Sequence, residues 1–178
     1  MNKALFLDRD GVINKEKNHL YKIDDFEFID GIFEVCRQFQ LKKYLIVVVT
    51  NQAGIAKGLY SVEEYELLTE WMVSQFLNQK IEILEVYHCP HHPDFSLNCN
   101  CRKPKPGMFL KAEKDFHINL SESIMVGDKD SDICAAISAG IRDNYLVKSG
   151  HSIIKNSFNV PILKSIKDLP SFYGVGRV

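Results

Sequence analysis

Short apolar runs alternate along this chain with longer segments in which apolar residues recur every three or four positions. The apolar runs predict five buried strands, at 4–7, 44–49, 81–87, 123–127 and 144–148. The longer segments predict four helices, at 31–42, 61–78, 106–116 and 130–139. Strands that alternate with helices at this spacing predict an α/β fold with a doubly wound, Rossmann-like parallel sheet.

Capping residues set several of the predicted helix ends. Asp30 is placed to cap the helix that starts at Gly31, and Ser61 forms a capping box with Glu64. Gly140 stops the alanine-rich helix that precedes it. The remainder of the chain after the fifth strand is expected to pack as short edge elements.

Length and composition predict a single soluble domain over residues 1–178. The chain contains no internal repeat, low-complexity tract or linker, and 46% of its residues are apolar. A net charge of −1 supplies no overall field that would attract nucleic acid or an anionic membrane. No apolar run has the length of a membrane span or of a signal-peptide core. We therefore expect a cytoplasmic monomer that acts on a small molecule, with no nucleic-acid or membrane partner.

Two carboxylates directly follow the first predicted strand. Asp8 and Asp10 are separated by one residue, and Gly11 comes next. The carboxyl ends of parallel strands carry the ligand sites of open α/β sheets, and two carboxylates there require a positive partner. Mg²⁺ favours such oxygen ligands. On this stretch alone, an aspartate that caps a helix, with a solvated neighbour, explains the pattern equally well.

Three later stretches favour the catalytic interpretation. They are VVVTNQ at 47–52, CRKP at 101–104 and IMVGDKDSD at 124–132. Together with the DxDG of residues 8–11 they resemble, in order, the four motifs of the haloacid dehalogenase superfamily of phosphotransferases. The resemblance covers nearly the whole chain.

The resemblance implies a role for each motif residue. Asp8 would attack phosphorus and form an aspartyl phosphate, and Asp10 would act as general acid and base. A Mg²⁺ ion would be held by the Asp8 carboxylate, the Asp10 main-chain carbonyl and Asp128. Thr50 would donate a hydrogen bond to a phosphoryl oxygen, and Lys103 would stabilise the nucleophile and the transition state.

Two further features refine this expectation. Asp132 is expected to orient the magnesium ligands rather than to bind the ion. Neither the segment after Asp10 nor the segment between Thr50 and Arg102 has room for a separate cap domain. An uncapped site of this superfamily usually accepts a phosphate that protrudes from a larger body, or a substrate covered by short loops.

The five cysteines fall into two groups. Cys36 and Cys134 lie in predicted helices and are expected to be inert core residues. The other three crowd into thirteen residues, at Cys89, Cys99 and Cys101. In a reducing compartment such crowding indicates a metal rather than disulfides. The alternative is one disulfide and one free thiol.

The loop predicted over 88–106 also contains histidines. Cys89-x-His91 and Cys99-x-Cys101 form two ligand pairs, which would complete a closed, tetrahedral structural Zn²⁺ site. His88 and His92 compete for the histidine position, and we favour His91 because its pair mirrors the cysteine pair.

The combined motifs narrow the resemblance. DRDGVIN, TNQ, the CPHHP…CxCRKPxPGM loop and VGDK look like the D,D-heptose 1,7-bisphosphate 7-phosphatases, within the branch that they share with histidinol phosphatases. This similarity implies Mg²⁺-dependent removal of the C7 phosphate in nucleotide-heptose and lipopolysaccharide biosynthesis. Its recognition positions map to Asn51, Gln52, Arg102 and Lys129, with Lys103 on the transferred phosphate. Arg102 and Lys129 suit a second phosphate on electrostatic grounds.

Two alternatives remain open at this stage. A histidinol-phosphate phosphatase shares the aspartates and the zinc loop, but its substrate carries an amine that needs an acidic patch. A zinc-loop binding module without catalysis is the other alternative, and the complete set of motif residues argues against it.

Overall fold

A single parallel sheet organises the chain in the computed structural model, which describes residues 1–96, 98–149 and 156–173. Its strands are β1 (Lys3–Leu7), β2 (Tyr44–Asn51), β3 (Ile83–Cys89), β4 (Ile124–Gly127), β5 (Asp143–Val147) and β6 (Ile162–Leu163). Within the described residues they are ordered β3-β2-β1-β4-β5-β6, and every pair is parallel. The predicted doubly wound sheet is confirmed.

Helices cover both faces of the sheet. They are α1 (Ile32–Leu41), α2 (Val62–Asn78), α3 (Gly107–Phe116), α4 (Asp130–Ala139) and α5 (Leu169–Phe172). Because side chains alternate along a strand, β1 serves two cores. Leu5 and Leu7 pack with α1, α2 and α5, whereas Ala4 and Phe6 pack with α3 and α4. No helix among the described residues has the length and apolar character to cross a bilayer.

The capping predictions meet different outcomes. Ser61 and Glu64 form the expected capping box, and Gly140 ends α4 with a φ of 97°. The prediction for Asp30 is wrong, because Gly31 is the N-cap of α1 and has a φ of 87°. The Asp30 carboxylate instead pairs with the Lys167 ammonium at 2.5 Å.

The third strand lies two residues later than predicted. Cys89 pairs in register with Asn51 of β2, so the first cysteine of the loop belongs to the end of β3. The loop over 88–106 therefore begins inside the sheet, which anchors it. Cys134 is only partly buried, in contrast to Cys36. The predicted edge elements appear as β6 and α5, and the parts of that prediction at 150–155 and 174–178 lie outside the described residues.

The sheet order brings the predicted motifs together. β1 lies between β2 and β4, so the residues that follow these three strands share one edge of the sheet. Asp8 follows β1, Thr50 and Asn51 end β2, and Asp128 follows β4. This edge is where the chain order switches direction, the usual position of a ligand site in a doubly wound sheet.

Candidate active site

Three buried carboxylates converge at this edge of the sheet. Each of Asp8, Asp128 and Asp132 offers an oxygen, and the three oxygens lie within 4.8 Å of one another. Their exposed fractions are 6%, 2% and 1%. Burial raises the pKa of Asp8, the Lys103 ammonium opposes this rise, and the charges of Asp132 and Asp128 add to it. A hard cation would relieve this repulsion, so the donor set fits Mg²⁺.

Lys103 joins this cluster from the loop between β3 and α3. Its Nζ lies 2.7 Å from Asp132 Oδ1 and 3.0 Å from Asp8 Oδ1, and it also donates to the Val49 carbonyl at 2.8 Å. These three acceptors use all the donors of an ammonium group. Burial by itself would lower the pKa of Lys103, but Asp132 and Asp8 raise it above its ordinary value. Lys103 is therefore held charged beside Asp8.

The second oxygen of Asp132 is occupied as well. Asp132 Oδ2 accepts from the backbone N–H groups of Asp128 and Lys129, both at 3.1 Å. A Cβ on Gly127 would lie 2.4 Å from the Asp132 Cβ, so the close approach requires glycine there. Because both its oxygens have partners, Asp132 is a scaffold for Lys103 and for the Asp128 backbone, and Asp8 and Asp128 are the better ion ligands.

Asp10 lies beside this cluster, in a different environment. Arg9 donates to both of its oxygens, at 3.0 Å each from Nη2. Asn14 donates to Oδ1 and Gln52 to Oδ2, both at 3.0 Å. Burial would raise the pKa of Asp10, but Arg9, Asn14 and Gln52 lower it below its ordinary value. The sequence pattern did not indicate these roles for Arg9 and Asn14, although a charged residue between two motif aspartates is a signal for the first.

Two residues predicted to bind substrate are engaged by the protein itself. Asn51 Nδ2 donates to the Lys103 carbonyl at 3.0 Å, and Asn51 Oδ1 accepts from the Lys103 N–H at 3.1 Å. Gln52 donates to Thr50 Oγ1 at 2.8 Å as well as to Asp10, and its carbonyl accepts from Tyr60 Oη at 2.6 Å. Asn51 thus clamps the backbone of Lys103, while Gln52 aligns Thr50 with Asp10.

A cavity of about 440 Å³ opens above Asp10 and Lys103. The cationic side chains that line it are Lys57, Arg102, Lys103 and Lys129. No carboxylate in the described part of the chain pairs with Lys57, Arg102 or Lys129. A larger groove of about 610 Å³ lies between α2 and β3, but neither Asp10 nor Lys103 lines it. The cationic cavity is therefore the candidate substrate site.

The Cys/His cluster assembles beside the cavity. One ligand atom from each of Cys89, His91, Cys99 and Cys101 lies within 4.8 Å of the others. His91 Nδ1 is 3.5 Å from Cys89 Sγ and 3.4 Å from Cys101 Sγ, and Cys89 Sγ is 3.6 Å from Cys99 Sγ. Ligand atoms around tetrahedral zinc are separated by about 3.5–3.8 Å. These three distances lie close to that range, whereas Cys101 Sγ is only 3.0 Å from Cys89 Sγ, so the cluster fits a metal after one thiol moves outward.

The competing histidines lie elsewhere. His88 stacks on the Tyr65 ring with 4.4 Å between ring centroids, and His92 Nδ1 accepts from the Asp94 N–H at 3.2 Å. All five cysteines are free, so the structure contains no disulfide between the three in the loop. Arg102 Nη1 donates to the His91 carbonyl at 3.1 Å, which ties the cluster to the cavity wall.

Comparison with known proteins agrees with this geometry. The family model described as HAD-hydrolase-like matches residues 100–156. A D-glycero-alpha-D-manno-heptose-1,7-bisphosphate 7-phosphatase of Photorhabdus laumondii is 48% identical over 154 residues, 84% of each chain. A D-glycero-beta-D-manno-heptose-1,7-bisphosphate 7-phosphatase of Haemophilus influenzae is 42% identical over 176 residues, 96% of each chain.

A solved structure gives the same result for the fold. The D,D-heptose 1,7-bisphosphate phosphatase from B. bronchiseptica, complexed with magnesium and phosphate, superposes with a TM-score of 0.86. Its sequence is 25% identical, and the match covers 96% of this chain and 97% of that one. The fold and the site define a hydrolase of the haloacid dehalogenase superfamily. Within it, the chain belongs to the D-glycero-D-manno-heptose-1,7-bisphosphate 7-phosphatase family.

Proposed function

We propose that this protein is a Mg²⁺-dependent phosphomonoesterase that removes the C7 phosphate of D-glycero-D-manno-heptose 1,7-bisphosphate. The observation that carries the proposal is the Lys103 Nζ 3.0 Å from Asp8 Oδ1, at the base of a cavity lined by further cations. Similar proteins named for the alpha anomer and for the beta anomer of this substrate support the assignment, and their similarity covers most of the chain.

The buried carboxylate of Asp8 attacks phosphorus and forms an aspartyl phosphate. Lys103 neutralises charge that develops on the transferred phosphoryl group, and the Asn51 clamp on its backbone holds it in place. Asp10 must hold a proton when the substrate is bound, although Arg9, Asn14 and Gln52 lower its pKa in the free protein, and it gives that proton to the leaving C7 oxygen as the P–O bond breaks. It then accepts a proton from the water that cleaves the aspartyl phosphate, which restores both groups.

Asp8, Asp128 and the Asp10 main-chain carbonyl would hold Mg²⁺. When bound there, the ion supplies positive charge that lets an anionic nucleophile approach an anionic phosphate. Cys89, His91, Cys99 and Cys101 would hold a structural Zn²⁺, which would stabilise the loop that carries Arg102 and Lys103.

The second phosphate of the substrate needs its own cations. Arg102 and Lys57 line the cavity but not the small pocket around Asp8, whereas Lys129 lines both. None of the three pairs with a carboxylate among the described residues. Unpaired cations that converge on a cavity favour a dianionic group. Histidinol phosphate carries an amine in place of a second phosphate. Cations outnumber the carboxylates of Asp10 and Glu16 in the cavity lining, and the similar relatives are named heptose bisphosphatases, so the histidinol alternative is not favoured.

A phosphate-release assay tests the proposal. The purified protein would be given both anomers of the heptose bisphosphate and histidinol phosphate, each with Mg²⁺ or with EDTA. We expect Mg²⁺-dependent release from a heptose bisphosphate at a kcat/KM at least about a hundredfold above that for histidinol phosphate. Comparable turnover of all three substrates would contradict the substrate assignment. No turnover of any would instead support the non-catalytic zinc-loop module.

The second-phosphate site can be tested by one matched pair of variants. Arg102→Ala should raise KM for the bisphosphate about tenfold or more and leave the turnover of p-nitrophenyl phosphate nearly unchanged. Lys105→Ala is the control, since Lys105 carries the same charge on the same loop but its Nζ donates to the Cys99 carbonyl. Equal effects of both variants on the bisphosphate KM would contradict a local role for Arg102.

A further inference from the structure

Arg9 is an almost completely buried cation beside the site, and the reaction described above gives it no role. Its exposed fraction is 1%, and it does not line the substrate cavity. Its guanidinium carbon lies 5.9 Å from the centroid of the Tyr65 ring. Its Nη1 has no hydrogen-bond partner within the part of the chain that the structure describes. A buried donor left without a partner lowers stability, so stability alone does not explain this arrangement.

The bonded side of the guanidinium makes two kinds of contact. Nε and Nη2 both face the Asp10 carboxylate, at 3.3 Å and 3.0 Å from Oδ1, and Nη2 is also 3.0 Å from Oδ2. The same Nη2 donates to the Leu20 carbonyl at 2.9 Å. A single nitrogen thus joins the side chain of Asp10 to the backbone of the loop that follows β1.

That loop contributes to the substrate cavity. Asn18 and His19, the two residues before Leu20, line the cavity together with Asp10. The other donors to Asp10 do not make this link, because Asn14 Nδ2 reaches only its neighbour, the Lys15 carbonyl, and Gln52 belongs to the segment after β2. Arg9 therefore connects Asp10 to the part of the cavity lining formed by Asn18 and His19, which we expect to contact the leaving group.

We propose that Arg9 is a positioning residue that sets the Asp10 carboxyl group at a fixed place relative to the loop that contacts the leaving group. The inference rests on the proposed role of Asp10 as general acid and base. Arg9 itself touches neither substrate nor reacting atoms. Its effect on the reaction passes through the orientation of Asp10, and small misplacement of such a group lowers the rate by about a hundredfold.

Leaving-group dependence separates this role from a structural one. An alkyl phosphate needs a proton on its departing oxygen, whereas p-nitrophenyl phosphate releases an anion that is stable near neutral pH. For Arg9→Lys and Arg9→Gln we expect kcat/KM to fall about a hundredfold or more with the heptose bisphosphate, but less than about tenfold with p-nitrophenyl phosphate. KM should change little, because Arg9 is outside the cavity lining. The control is Arg37→Gln, at an exposed arginine of α1. This variant should leave kcat/KM unchanged for both substrates.

A double-mutant cycle completes the test. In an Asp10→Asn background, adding Arg9→Lys should change the residual kcat/KM for the heptose bisphosphate by less than about twofold, against about a hundredfold in the wild-type background, because the group that Arg9 positions no longer transfers protons. Equal losses on both substrates, additive effects in the cycle, or the failure of both Arg9 variants to fold would overturn the proposal. If the wild type releases no phosphate from heptose bisphosphates but cleaves another primary sugar phosphate, the substrate proposal fails. The Arg9 comparison then proceeds with that phosphate.

Discussion

Lys103 and Asp132 form an ion pair in which both side chains are almost completely buried, with 2.7 Å between Nζ and Oδ1. The same ammonium contacts Asp8 at 3.0 Å, so Asp132 and the proposed nucleophile share one cation. Asp132 also accepts from the Asp128 N–H. One side chain at the start of α4 thereby links the proposed nucleophile, its counter-ion and a proposed magnesium ligand.

Replacing Asp132 should therefore impair both catalysis and stability. In Asp132→Asn, one oxygen becomes an NH2 group that meets either the Lys103 ammonium or two backbone N–H groups. We expect kcat to fall about a hundredfold and the free energy of unfolding to fall by about 3 kcal/mol. Steady-state kinetics and urea unfolding measure these effects. Asp130→Asn, in the same turn of α4, is the matched control, and a kcat within about twofold of the wild type in Asp132→Asn would contradict the role.

Replacing Asp8 should abolish turnover and leave the fold intact. Asp8→Asn keeps the size of the side chain but removes the nucleophilic charge, so no aspartyl phosphate can form. Acid quenching of the wild type during turnover, followed by mass spectrometry, should detect a phosphorylated Asp8 peptide, and the variant should lack it. Asp30→Asn, at an exposed aspartate, should behave like the wild type. More than trace activity in Asp8→Asn would refute covalent catalysis.

The Cys/His cluster should bind zinc and support turnover. Elemental analysis of protein purified under reducing conditions should find about one zinc per chain, retained through brief EDTA treatment, whereas Mg²⁺ should exchange readily. Cys101→Ser should lower the zinc content and reduce kcat about a hundredfold, because Arg102 and Lys103 follow Cys101 directly.

Circular dichroism provides the check on folding for this variant. Among the described loop residues, only Cys89, Cys99 and Cys101 join the hydrophobic core on that face of the sheet. The rest of that core lies outside the loop, so the spectrum of Cys101→Ser should match that of the wild type. Cys134→Ser, at the partly buried cysteine of α4, should retain both zinc and activity. Full activity in Cys101→Ser, or its outright unfolding, would show that the loop has another purpose.

Cys36 should make stability depend on pH in the alkaline range. Burial in α1 raises the pKa of its thiol from 9.0 to about 12. Above pH 9 the unfolded chain releases this proton while the native chain retains it, so the thiol's contribution is full below pH 9 and is lost between about pH 9 and 12. The difference in unfolding free energy between the wild type and Cys36→Ala should shrink by up to about 1.4 kcal/mol per pH unit. A pH-independent difference from pH 8 to 10.5 would contradict it.

The sheet and the identity of the motif residues followed from the sequence, because both depend on short-range patterns. An apolar run of four to eight residues predicts a buried strand without any knowledge of which strands lie beside it. A polar residue directly after such a run must lie at the carboxyl end of that strand. Asp8, Thr50 and Asp128 were therefore placed at one edge before their distances were known. The Cys89-x-His91 and Cys99-x-Cys101 spacing likewise restricts the ligand pairs locally.

Tertiary structure alone decided which of these side chains pair, because the pairs join distant segments through loops that carry no periodic signal. Lys103 follows β3 and Asp132 follows β4, so the two could meet only once the order β3-β2-β1-β4 brought their segments together. The Asn51 clamp depends on the same packing. Arg9 connects Asp10 to the irregular loop after β1, part of which lines the substrate cavity. The path of that loop depends on tertiary contacts such as the hydrogen bond from Arg9 to the Leu20 carbonyl. Local sequence thus determined which chemical groups reach the site, and the packing of distant loops determined which group acts on which.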